Sequence, residues 1–507
     1  MEQRTIKRAL ISVYHKDGIE EIARKLVSGG TELLSTGGTY DFFKGLGLPV
    51  KTVEEVTGYP SILGGRVKTL HPKVFGGILH RRENETDIRQ IGEYDIPGID
   101  LVIVDLYPFG KYVESSASHE EIIEKIDIGG ISLIRAAAKN YRDVLIVASM
   151  EQYPALNELL DKNGPVSTIE ERRRFAALAF SVSSGYDTAI FQYFNREEKI
   201  DAFRESFLSS QQLRYGENPH QKAVYYGAEG SLPEQIWGKE ISYNNLLDIE
   251  AAIELIGDFT EPTVAILKHN NACGCASRET IPAAWEAALA CDPLSAFGGI
   301  IIANREIDKA AAAGMNTIFF EVVIAPSYTS DALEVLKEKK NRIILIDNKE
   351  RRTATKFRSL LGGALVQDRD AAVENAADHE VVTKTTPSAA EFQDLTFANK
   401  LVKHSKSNSI VLAKNNTLLA SGVGQTSRVD ALKQAIAKAE GFGFELSGAV
   451  MASDAFFPFA DSIEIAHKAG ITSVIQPGGS VRDKDTVEYC DNNGISMVFT
   501  KTRHFKH

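Results

Sequence analysis

The sequence predicts an α/β protein in which parallel sheets are covered by helices. Two observations support this fold class. Short apolar runs, typical of buried strands, alternate with helical segments through the first 150 residues, and a similar alternation resumes near residue 260. Strands that alternate with helices pair in parallel, because each helix carries the chain back across the sheet. A length of 507 residues is enough for several domains.

The N-terminal region provides the first set of elements. Ile19 to Leu26 has the spacing of an amphipathic helix, and a long helix is expected over residues 168–194, with Arg172, Arg173 and Arg174 on its exposed face. A charged segment at 195–199 then lacks apolar pattern, so we expect a domain boundary there, with domains at 1–198 and 199–507. Apolar runs predict strands at 8–13, 32–34, 101–104 and 145–148.

The C-terminal region is expected to contain two lobes, 199–370 and 371–507. The segment near 370–390 resembles a connection in composition, and residues 290–297 resemble residues 452–459 in placing an Asp five residues before a Phe. That echo indicates an internal duplication. Strands are expected near 264–267, 299–303, 321–325, 343–346, 409–413, 447–452, 472–476 and 495–499.

Composition excludes several classes of function. The net charge of -11 argues against nucleic acid or an anionic membrane as the main partner. No run of about 18 apolar residues predicts a transmembrane helix, and the first residues lack the apolar core of a signal peptide. Four sparse cysteines fit a reducing compartment. We therefore expect a cytoplasmic protein that acts on small molecules.

A metal site is not expected. His269, Cys273, Cys275 and Cys291 are close in sequence, but their spacing matches neither paired C-x-x-C zinc sites nor the ligand pattern of zinc deaminases. A zinc deaminase acting on a nucleobase stays open as a disfavoured alternative.

Residues 35–39, Ser-Thr-Gly-Gly-Thr, predict a phosphate cradle at the end of the second strand. Glycines let the backbone approach an anion, hydroxyls donate to it, and the helix expected from Tyr40 adds amide donors. Ser12 and Lys16, after the first strand, would add a donor and a cation. The alternative is a turn with no ligand.

A second basic segment follows at residues 64–72. If this segment is extended, Arg66 and Lys68 point the same way, and with Thr69 beside them they suit a phosphate or an oxyanion. Further along, Asp127 and Gly129 precede a helix expected over 131–139. Asp127 is either a functional carboxylate or only a helix cap.

Residues Lys268 and His269 directly follow a buried strand, where α/β sheets usually bind ligands. A cation beside an imidazole can provide a fixed charge and a general base, although a solvated loop is the alternative. A second pair, Lys403 and His404, precedes its strand, so we expect it at the surface.

Other polar segments of the C-terminal region are candidates for ligand contacts. Residues 213–221, 292–299, 407–409 and 424–428 are rich in polar side chains and glycine. Residues 453–461 combine aromatic rings with carboxylates, a combination that suits a flat heterocycle bonded at its edge.

The N-terminal motifs GGRVKTLHP, STGGT, DLYPF and IDIGGISLIRAAAKN resemble the inosine-monophosphate cyclohydrolase half of the bifunctional purine-biosynthesis enzymes, which has a methylglyoxal-synthase-like fold. The family usually has S-V-S-D-K-T where this chain has residues 12–17, and Asn where it has Asp105. The resemblance implies ring-closing roles for Lys68, Tyr107, Asp127 and Lys139. It implies nucleotide binding by Ser12, Lys16, Ser35, Thr36, Gly37, Gly38, Thr39, Arg66, Thr69, Asp105 and Gly129.

The C-terminal segments resemble the formyltransferase half of the same family, a pair of cytidine-deaminase-like lobes without zinc. The resemblance covers essentially the whole chain in the same order. It implies catalytic roles for Lys268, His269 and Asn408. It implies nucleotide binding by Arg214, Tyr215, Gly298, Glu321 and Arg428, and folate binding by Val429, Phe456, Asp461, Ser480 and Arg503; Glu321 stands where the family often has Asp.

The resemblance thus implies two reactions in one chain. The first transfers a formyl group from 10-formyltetrahydrofolate to aminoimidazole carboxamide ribotide, with His269 as base and Lys268 stabilising the oxyanion. The second closes the ring to inosine monophosphate, with Lys68 or Lys139 moving protons and Asp127 and Tyr107 orienting them. The resemblance implies a homodimer and no tightly bound cofactor. A regulatory protein that has kept the phosphate sites but lost catalysis is the other alternative.

Overall fold

The chain folds as two units, Met1–Ser209 and Ser210–His507. They are seen in a computed structural model, which describes residues 3–507 apart from 116, 229, 348–352 and 375. The boundary expected between residues 198 and 199 falls directly after the last long helix of the first unit. Within the described part of the chain, no helix combines the length and apolarity needed to cross a membrane.

The first unit is built on a parallel sheet of five strands in the order β4-β3-β2-β5-β6. A short antiparallel pair, β1 with β7, lies outside it. The strands are β1 (Gln3–Thr5), β2 (Arg8–Ser12), β3 (Glu32–Ser35), β4 (Val50–Thr52), β5 (Leu101–Val104), β6 (Leu145–Val147) and β7 (Val166–Thr168). The helices are α1 (Ile19–Ser28), α2 (Gly37–Gly45), α3 (Val53–Thr57), α4 (Pro72–Leu79), α5 (Glu85–Glu93), α6 (Phe109–Glu114), α7 (His119–Ile123), α8 (Gly129–Lys139), α9 (Tyr153–Asn163) and α10 (Ile169–Glu198).

All four strands predicted in this region are present, and they pair in parallel as expected. Their aliphatic residues are fully buried on both faces of the sheet, which is why they form continuous apolar runs in the sequence. The predicted α/β class is confirmed for this unit.

Arg172 contradicts the expectation that the arginines of α10 are exposed. Its side chain is completely buried, whereas Arg173 and Arg174 are exposed. The guanidinium donates to the carbonyls of Tyr141, Arg142 and Ser167 at 3.0, 2.8 and 2.7 Å. Because three carbonyl acceptors satisfy it, burial of this charge is tolerated, and it fixes α10 to the segment that precedes β6.

The second unit is dominated by a sheet of twelve strands in the order β10-β15-β14-β13-β11-β12-β20-β19-β21-β22-β23-β18. Its strands are β10 (Glu234–Trp237), β11 (Thr263–Lys268), β12 (Asn271–Ser277), β13 (Ile300–Ala303), β14 (Val322–Ala325), β15 (Ile343–Ile346), β18 (Glu380–Val381), β19 (Ile410–Lys414), β20 (Thr417–Gly422), β21 (Val450–Ser453), β22 (Ser473–Gln476) and β23 (Ser496–Phe499). Two separate hairpins pair β8 (Ser209–Gln212) with β9 (Val224–Gly227) and β16 (Thr355–Leu360) with β17 (Gly363–Asp368).

The helices of this unit flank the sheet. They are α11 (Tyr243–Ile256), α12 (Ile281–Cys291), α13 (Pro293–Ala296), α14 (Lys309–Met315), α15 (Ser330–Lys337), α16 (Ala389–Lys403), α17 (Arg428–Gly441), α18 (Asp461–Lys468) and α19 (Asp483–Asn493). All eight strands predicted here are present within a few residues of their expected ends. Strands β12 and β20 were not expected, and they make the centre of the sheet antiparallel.

The large sheet contains the same arrangement twice. In each half a central strand, β11 or β19, pairs antiparallel with a hairpin partner and with a third strand, which continues into two parallel strands. The halves meet where β12 pairs with β20 at Ala276 and Thr417. This repeated arrangement agrees with the predicted duplication. The sequence similarity between residues 290–297 and 452–459 does not mark equivalent positions, because Asp292 lies before β13 whereas Asp454 lies after the equivalent strand β21.

The connection near residue 370 packs against buried charges. Lys403 is buried rather than at the surface, and its ammonium group donates to Asp258 at 2.9 Å and to the Ala372 carbonyl at 2.8 Å. His404 lies 2.7 Å from the same Asp258 carboxylate, and burial lowers the pKa of His404. The expectation of a surface pair was wrong, because Asp258, which pairs with both side chains, is distant in sequence.

The C-terminal tail is held by a buried histidine. His504 lies between the carboxylates of Asp370 and Glu374, at 2.7 and 2.8 Å. Burial alone would lower the pKa of His504, but hydrogen bonds and charge from the two carboxylates raise it to about 9. The tail and the connection are thus joined by an ion pair at neutral pH.

We predict that Arg172→Ala destabilises the first unit by roughly 3 kcal/mol or more, because it leaves buried carbonyls unsatisfied and opens a cavity. Arg173→Ala, one residue further along α10 and exposed, should change stability by less than about 0.5 kcal/mol. Urea unfolding followed by circular dichroism would measure both. Equal effects of the two substitutions would contradict the structural role assigned to Arg172.

Candidate active sites

The first candidate site lies at the carboxyl edge of the parallel sheet. Strands β3, β2 and β5 are neighbours in the sheet, and each is followed directly by residues that the sequence singled out. The carboxyl ends of parallel strands meet at one edge, so residues 12–16, 35–39 and 105–107 come together there.

The predicted phosphate cradle forms around the start of α2. Ser12 Oγ lies 3.1 Å from Thr36 Oγ1. The Thr39 hydroxyl accepts from the Val13 N–H and donates to the Val13 carbonyl. Lys16 Nζ lies 3.1 Å from Thr39 Oγ1, and burial lowers the pKa of Lys16. Hydroxyls and a cation therefore surround a helix N-terminus, which is suited to an anion.

Ser35, Gly37 and Gly38 contribute differently to this cradle. The Ser35 hydroxyl is fully buried and donates to the Ile11 carbonyl at 2.7 Å, so it holds β3 against β2. Gly37 has a φ of 48°, and a Cβ there would lie 3.2 Å from Lys68 Nζ. A Cβ at Gly38 would meet nothing within 4 Å. The glycines leave open space at the mouth of the cradle.

The segment around Arg66 is a turn. The expectation that Arg66 and Lys68 point the same way required an extended segment, so it was wrong. Residues Leu63–Gly65 form a 3-10 turn that is closed by a bridge between Ile62 and Val67. Arg66 pairs with Glu124 instead of lying beside Lys68. Lys68 extends toward Gly37, so only this cation of the two reaches the cradle in the structure.

Asp127 lies at the start of α8, where its interpretation as a helix cap is confirmed and its role as a functional carboxylate stays a prediction. Its carboxylate accepts from the Gly130 N–H at 2.5 Å, which caps the helix. Burial raises the pKa of Asp127, and the nearby charge of Asp105 raises it further. Thr69 lies beside the same helix end, with its hydroxyl 3.1 Å from where a Cβ of Gly129 would be.

Tyr107 is partly exposed at the end of β5. Its ring lies 5.2 Å from the Tyr14 ring, and Lys125 Nζ lies 5.7 Å from its centroid. Lys125 and Asp127 are held together by Tyr186, whose hydroxyl donates to the Lys125 carbonyl and accepts from the Asp127 N–H. Tyr107 and the partly buried Asp127 are thus both next to Lys125 in this site.

Lys139 is not brought to this cluster. It is exposed in the last turn of α8, and an eleven-residue helix rises about 15 Å from end to end. Asp127 and Lys139 therefore lie at opposite ends of the same helix.

His15 is a member of this site that the sequence did not identify. Its ring Nδ1 lies 2.9 Å from Asp105 Oδ2, and its backbone N–H donates to the same oxygen at 2.9 Å. The Tyr14 N–H donates to the other carboxylate oxygen. Tyr14, His15 and Asp105 all depart from the family motif, and they contact one another although about 90 residues separate Asp105 from the other two. Their unusual identities were the only signal available.

The second candidate site is centred on the turn between β11 and β12. His269 and Asn270 have φ values of 53° and 65°, the left-handed pair that a tight two-residue hairpin requires. The Asn270 N–H donates to Asp248 Oδ1 at 2.6 Å, and burial raises the pKa of Asp248. The turn therefore presents the His269 side chain to solvent, while Asp248 on α11 fixes the backbone beneath it.

Lys268 is held on one side of this turn. Its Nζ donates to the Phe297 carbonyl at 2.9 Å, which brings it next to Gly298, a residue with a φ of 76°. The Phe297 and Phe319 rings are 5.4 Å apart and partly exposed. Glu321, beyond Phe319, pairs with Lys239.

Asn408 and Arg428 are linked to the other side of the turn. Asn271 Oδ1 accepts from the Lys406 N–H at 3.1 Å, two residues before Asn408. Arg428 donates to Asn408 Oδ1 at 2.9 Å and to Asp454 at 2.8 Å, and burial lowers its pKa. The segment that leads to Asn408 therefore contacts the residue after the His269 turn, and Arg428 is bonded to Asn408.

The remaining predicted residues are at the margins of this site. Tyr215 accepts from the Tyr243 N–H at the start of α11, and Arg214 stacks 5.2 Å from the Tyr215 ring. Val429 follows Arg428 on α17, and Phe456 follows the Asp454 segment. Among the described residues, no hydrogen bond joins Asp461, Ser480 or Arg503 to Arg428, and the folate-binding role of these residues stays a prediction.

The cysteines near the turn are buried as thiols. Burial raises the pKa of Cys273 to about 12 and that of Cys291 to about 11. Among the described residues, no three or more His, Cys, Asp or Glu side chains are grouped so that they could hold a metal ion.

Comparison with known proteins places both sites in one family. Residues 137–438, more than half of the chain, match the family described as AICARFT/IMPCHase bienzyme, and residues 18–132 match the MGS-like domain. The bifunctional purine biosynthesis protein PurH of Bacteroides thetaiotaomicron is 63% identical over 506 residues, covering 100% of both chains. Those of Acetivibrio thermocellus and Bacillus cereus are 48% and 46% identical, each covering 99% of this chain and 100% of the relative.

These matches confirm the methylglyoxal-synthase-like fold of the N-terminal unit and the α/β class of the C-terminal region. The cytidine-deaminase-like description of its two lobes stays a prediction. With a family match over more than half of its length and a relative 63% identical from end to end, the chain belongs to the AICARFT/IMPCHase bienzyme family.

Proposed function

We propose that this chain catalyses the last two steps of purine biosynthesis to inosine monophosphate. It transfers a formyl group from 10-formyltetrahydrofolate, its cosubstrate, to aminoimidazole carboxamide ribotide, and then closes the ring with loss of water. We assign ring closure to residues 1–198 and formyl transfer to residues 199–507. The observation that carries this proposal is identity of 63% over the full length to a bifunctional purine biosynthesis protein.

Formyl transfer requires a base, because the ribotide amine is a weak nucleophile whose lone pair is delocalised into the ring. As the amine attacks the formyl carbon, His269 accepts its proton. Lys268 donates one N–H to the Phe297 carbonyl and retains two more, which can stabilise the developing oxyanion. Collapse of the tetrahedral intermediate then breaks the bond between the formyl carbon and N10, and N10 of tetrahydrofolate receives the proton held by His269 as it leaves.

The ribotide would be held from the second half of the sheet. Arg428 is fixed by Asn408 and Asp454, so its guanidinium is oriented before the substrate arrives. Preorganised donors of this kind lose little freedom on binding. Asp248 acts as a positioning residue, because it fixes the backbone of the His269 turn and has no direct part in the proton transfer.

Ring closure takes place at the first site. The carboxamide nitrogen attacks the formyl carbon, a C–N bond forms, and the former formyl oxygen leaves as water. Lys68 lies at the mouth of the cradle, and Asp127 is the neighbouring carboxyl group. Burial raises the pKa of Asp127, which favours its role as a proton carrier. Lys139 lies too far along α8 to join this step.

We predict that His269→Asn lowers kcat for formyl transfer at least about 100-fold, the usual contribution of a general base. Asn occupies the equivalent turn position 415, with a φ of 54° against 53° for His269, so the substitution removes the imidazole and keeps the backbone. Tetrahydrofolate release would be followed by absorbance, and ring closure would be assayed separately with formylated ribotide.

The matched control is Asn415→Ala, which perturbs a left-handed turn of the same geometry outside the site. Formyl transfer should be retained in this variant, and ring closure should be retained in both. Full formyl transfer by His269→Asn would remove His269 as the base. Failure of the unaltered protein to turn over either substrate would favour the regulatory alternative.

We predict that Lys68→Met slows ring closure about 100-fold. The substitution removes the positive charge that would stabilise the developing oxyanion, and it keeps a side chain of similar length. Lys139→Met should leave ring closure within about twofold, since this lysine is at the far end of α8. Conversion of formylated ribotide to inosine monophosphate would be measured for both. An equally large loss of ring-closing activity in Lys139→Met would support the role in proton transfer that the family resemblance implied for Lys139.

We further propose that the protein is a cytoplasmic homodimer. Cytoplasmic location is supported by four buried cysteines without a disulfide bond. Dimerisation is supported by the isolated hairpin β16–β17, which carries exposed Leu360, Leu361, Leu365 and Val366; Leu361 is 99% exposed. A two-stranded hairpin is marginal alone, and a second copy would bury these side chains.

We predict that the double substitution Leu361→Asp and Leu365→Asp converts a dimer to a monomer, because charges cannot be buried at the contact. Light scattering after size exclusion would give the mass. Ile88→Asp, at an isolated exposed position on α5, is the control and should leave the mass unchanged. An unaltered protein of monomer mass would end the homodimer proposal.

A further inference from the structure

Tyr186 on α10 reaches the segment that carries Asp127. Its hydroxyl accepts from the Asp127 N–H at 2.8 Å and donates to the Lys125 carbonyl at 2.9 Å. One oxygen therefore bonds the backbone on both sides of Ile126, although 59 positions along the chain separate Asp127 from Tyr186. The sequence indicated a helix at this place and gave no sign of this contact.

The position of Tyr186 is itself fixed by packing. Its ring lies edge-on to the ring of Phe109, with centroids 6.1 Å apart, and Phe109 is buried. Arg135 on α8 donates to the Ser183 hydroxyl on α10 at 3.4 Å, which joins the two helices close to Tyr186. The Tyr186 hydroxyl is thus held in place relative to α8, the helix that Asp127 caps.

The Tyr186 hydroxyl has no proton available for the substrate. Burial raises the pKa of Tyr186 to about 12, so the phenol stays protonated at neutral pH. A phenol has a single O–H donor, and here that donor is used by the Lys125 carbonyl. Tyr186 therefore has a part in the geometry of the site and no part in the proton transfer.

Two anchors fix Asp127. The Tyr186 hydroxyl bonds its backbone N–H, and the Gly130 N–H donates to its carboxylate at 2.5 Å. The same hydroxyl holds the carbonyl of Lys125, whose ammonium group lies 5.7 Å from the centroid of the Tyr107 ring. Placement on this scale affects rates, because a shift of about 1 Å in a reacting group can cost on the order of 100-fold.

We propose that Tyr186 is a positioning residue for ring closure, whose hydroxyl holds residues 125–127 so that the Asp127 carboxyl group can protonate the leaving oxygen. This inference rests on the ring-closing function and on the role of Asp127 proposed above. Lys16 and Thr39 of the phosphate cradle bond each other and the Val13 backbone rather than this segment. Loss of the hydroxyl therefore slows the chemical step and leaves phosphate binding in place.

The test variant is Tyr186→Phe, which removes the hydroxyl and keeps the ring against Phe109. Both kcat and KM for ring closure of formylated ribotide would be measured. We expect kcat to fall about tenfold, the scale of the hydrogen bonds that are lost, and KM to change less than about twofold.

The matched control is Tyr193→Phe, also on α10. The Tyr193 ring packs on Phe109 as well, at 5.9 Å, but its hydroxyl lies 2.8 Å from Nδ1 of the exposed His119. This variant should keep kcat and KM for ring closure within about twofold of the unaltered protein, as expected for a hydrogen bond at the surface. Thermal melting would show that each variant is folded.

A double-mutant cycle with Asp127→Asn separates positioning from a purely structural role. Asn keeps the ability to cap α8 but cannot supply the proton, so Asp127→Asn alone should lower kcat at least about 100-fold. Adding Tyr186→Phe should then lower kcat by less than about a further twofold, since the group that Tyr186 positions is already gone. A tyrosine that only stabilises α10 would instead slow both backgrounds by the same factor.

Several results would overturn the inference. These are equal losses of kcat in the two backgrounds, an equal loss in Tyr193→Phe, a loss confined to KM, and full ring-closing activity of either Tyr186→Phe or Asp127→Asn. If the unaltered protein does not close the ring at all, the proposed function itself fails and this inference falls with it.

Discussion

The second site depends on a turn that the backbone adopts reluctantly. His269 and Asn270 are both left-handed, a conformation that costs roughly 1–2 kcal/mol for each residue other than glycine. The partly buried Asp248 carboxylate offsets part of this cost through a 2.6 Å bond from the Asn270 N–H. The turn sets the direction of His269, and it starts β12, the strand that joins the two halves of the sheet.

The second half of the sheet has an equivalent turn that is held by an Asp carboxylate in the same way but has no histidine. Asp394 accepts from the N–H groups of Asn415 and Asn416 at 2.8 and 2.6 Å. It is the sixth residue of α16, and Asp248 is likewise the sixth residue of α11. Lys414 also donates to a carbonyl ahead of the third strand, as Lys268 does. Since Asn415 stands where the first half has the imidazole of His269, the two halves differ at the turn. This difference agrees with the separate roles that we propose for them, a base from the first half and Asn408 and Arg428 from the second.

The sequence predicted the fold wherever strands were continuous aliphatic runs, as in β5 and β13. It missed β12 and β20, whose Asn, Gly, Ser and Thr residues do not form such a run. Candidate residues at strand ends were found because a polar residue after a buried strand is visible locally. Arg172, Lys403 and the contact of His15 with Asp105 were misjudged or missed, since each depends on a partner that only the folded chain brings near.

The two carboxylates of the first site have different environments, and the difference assigns their roles. Asp105 accepts N–H donors from Tyr14 and His15 and faces a histidine, so its charge is compensated by fixed groups. Asp127 is partly buried, and both that burial and the Asp105 charge raise its pKa. Loss of water in ring closure needs a proton, and the raised pKa of Asp127 is the reason we propose Asp127 as its donor. For Asp105 we propose a place in the binding surface.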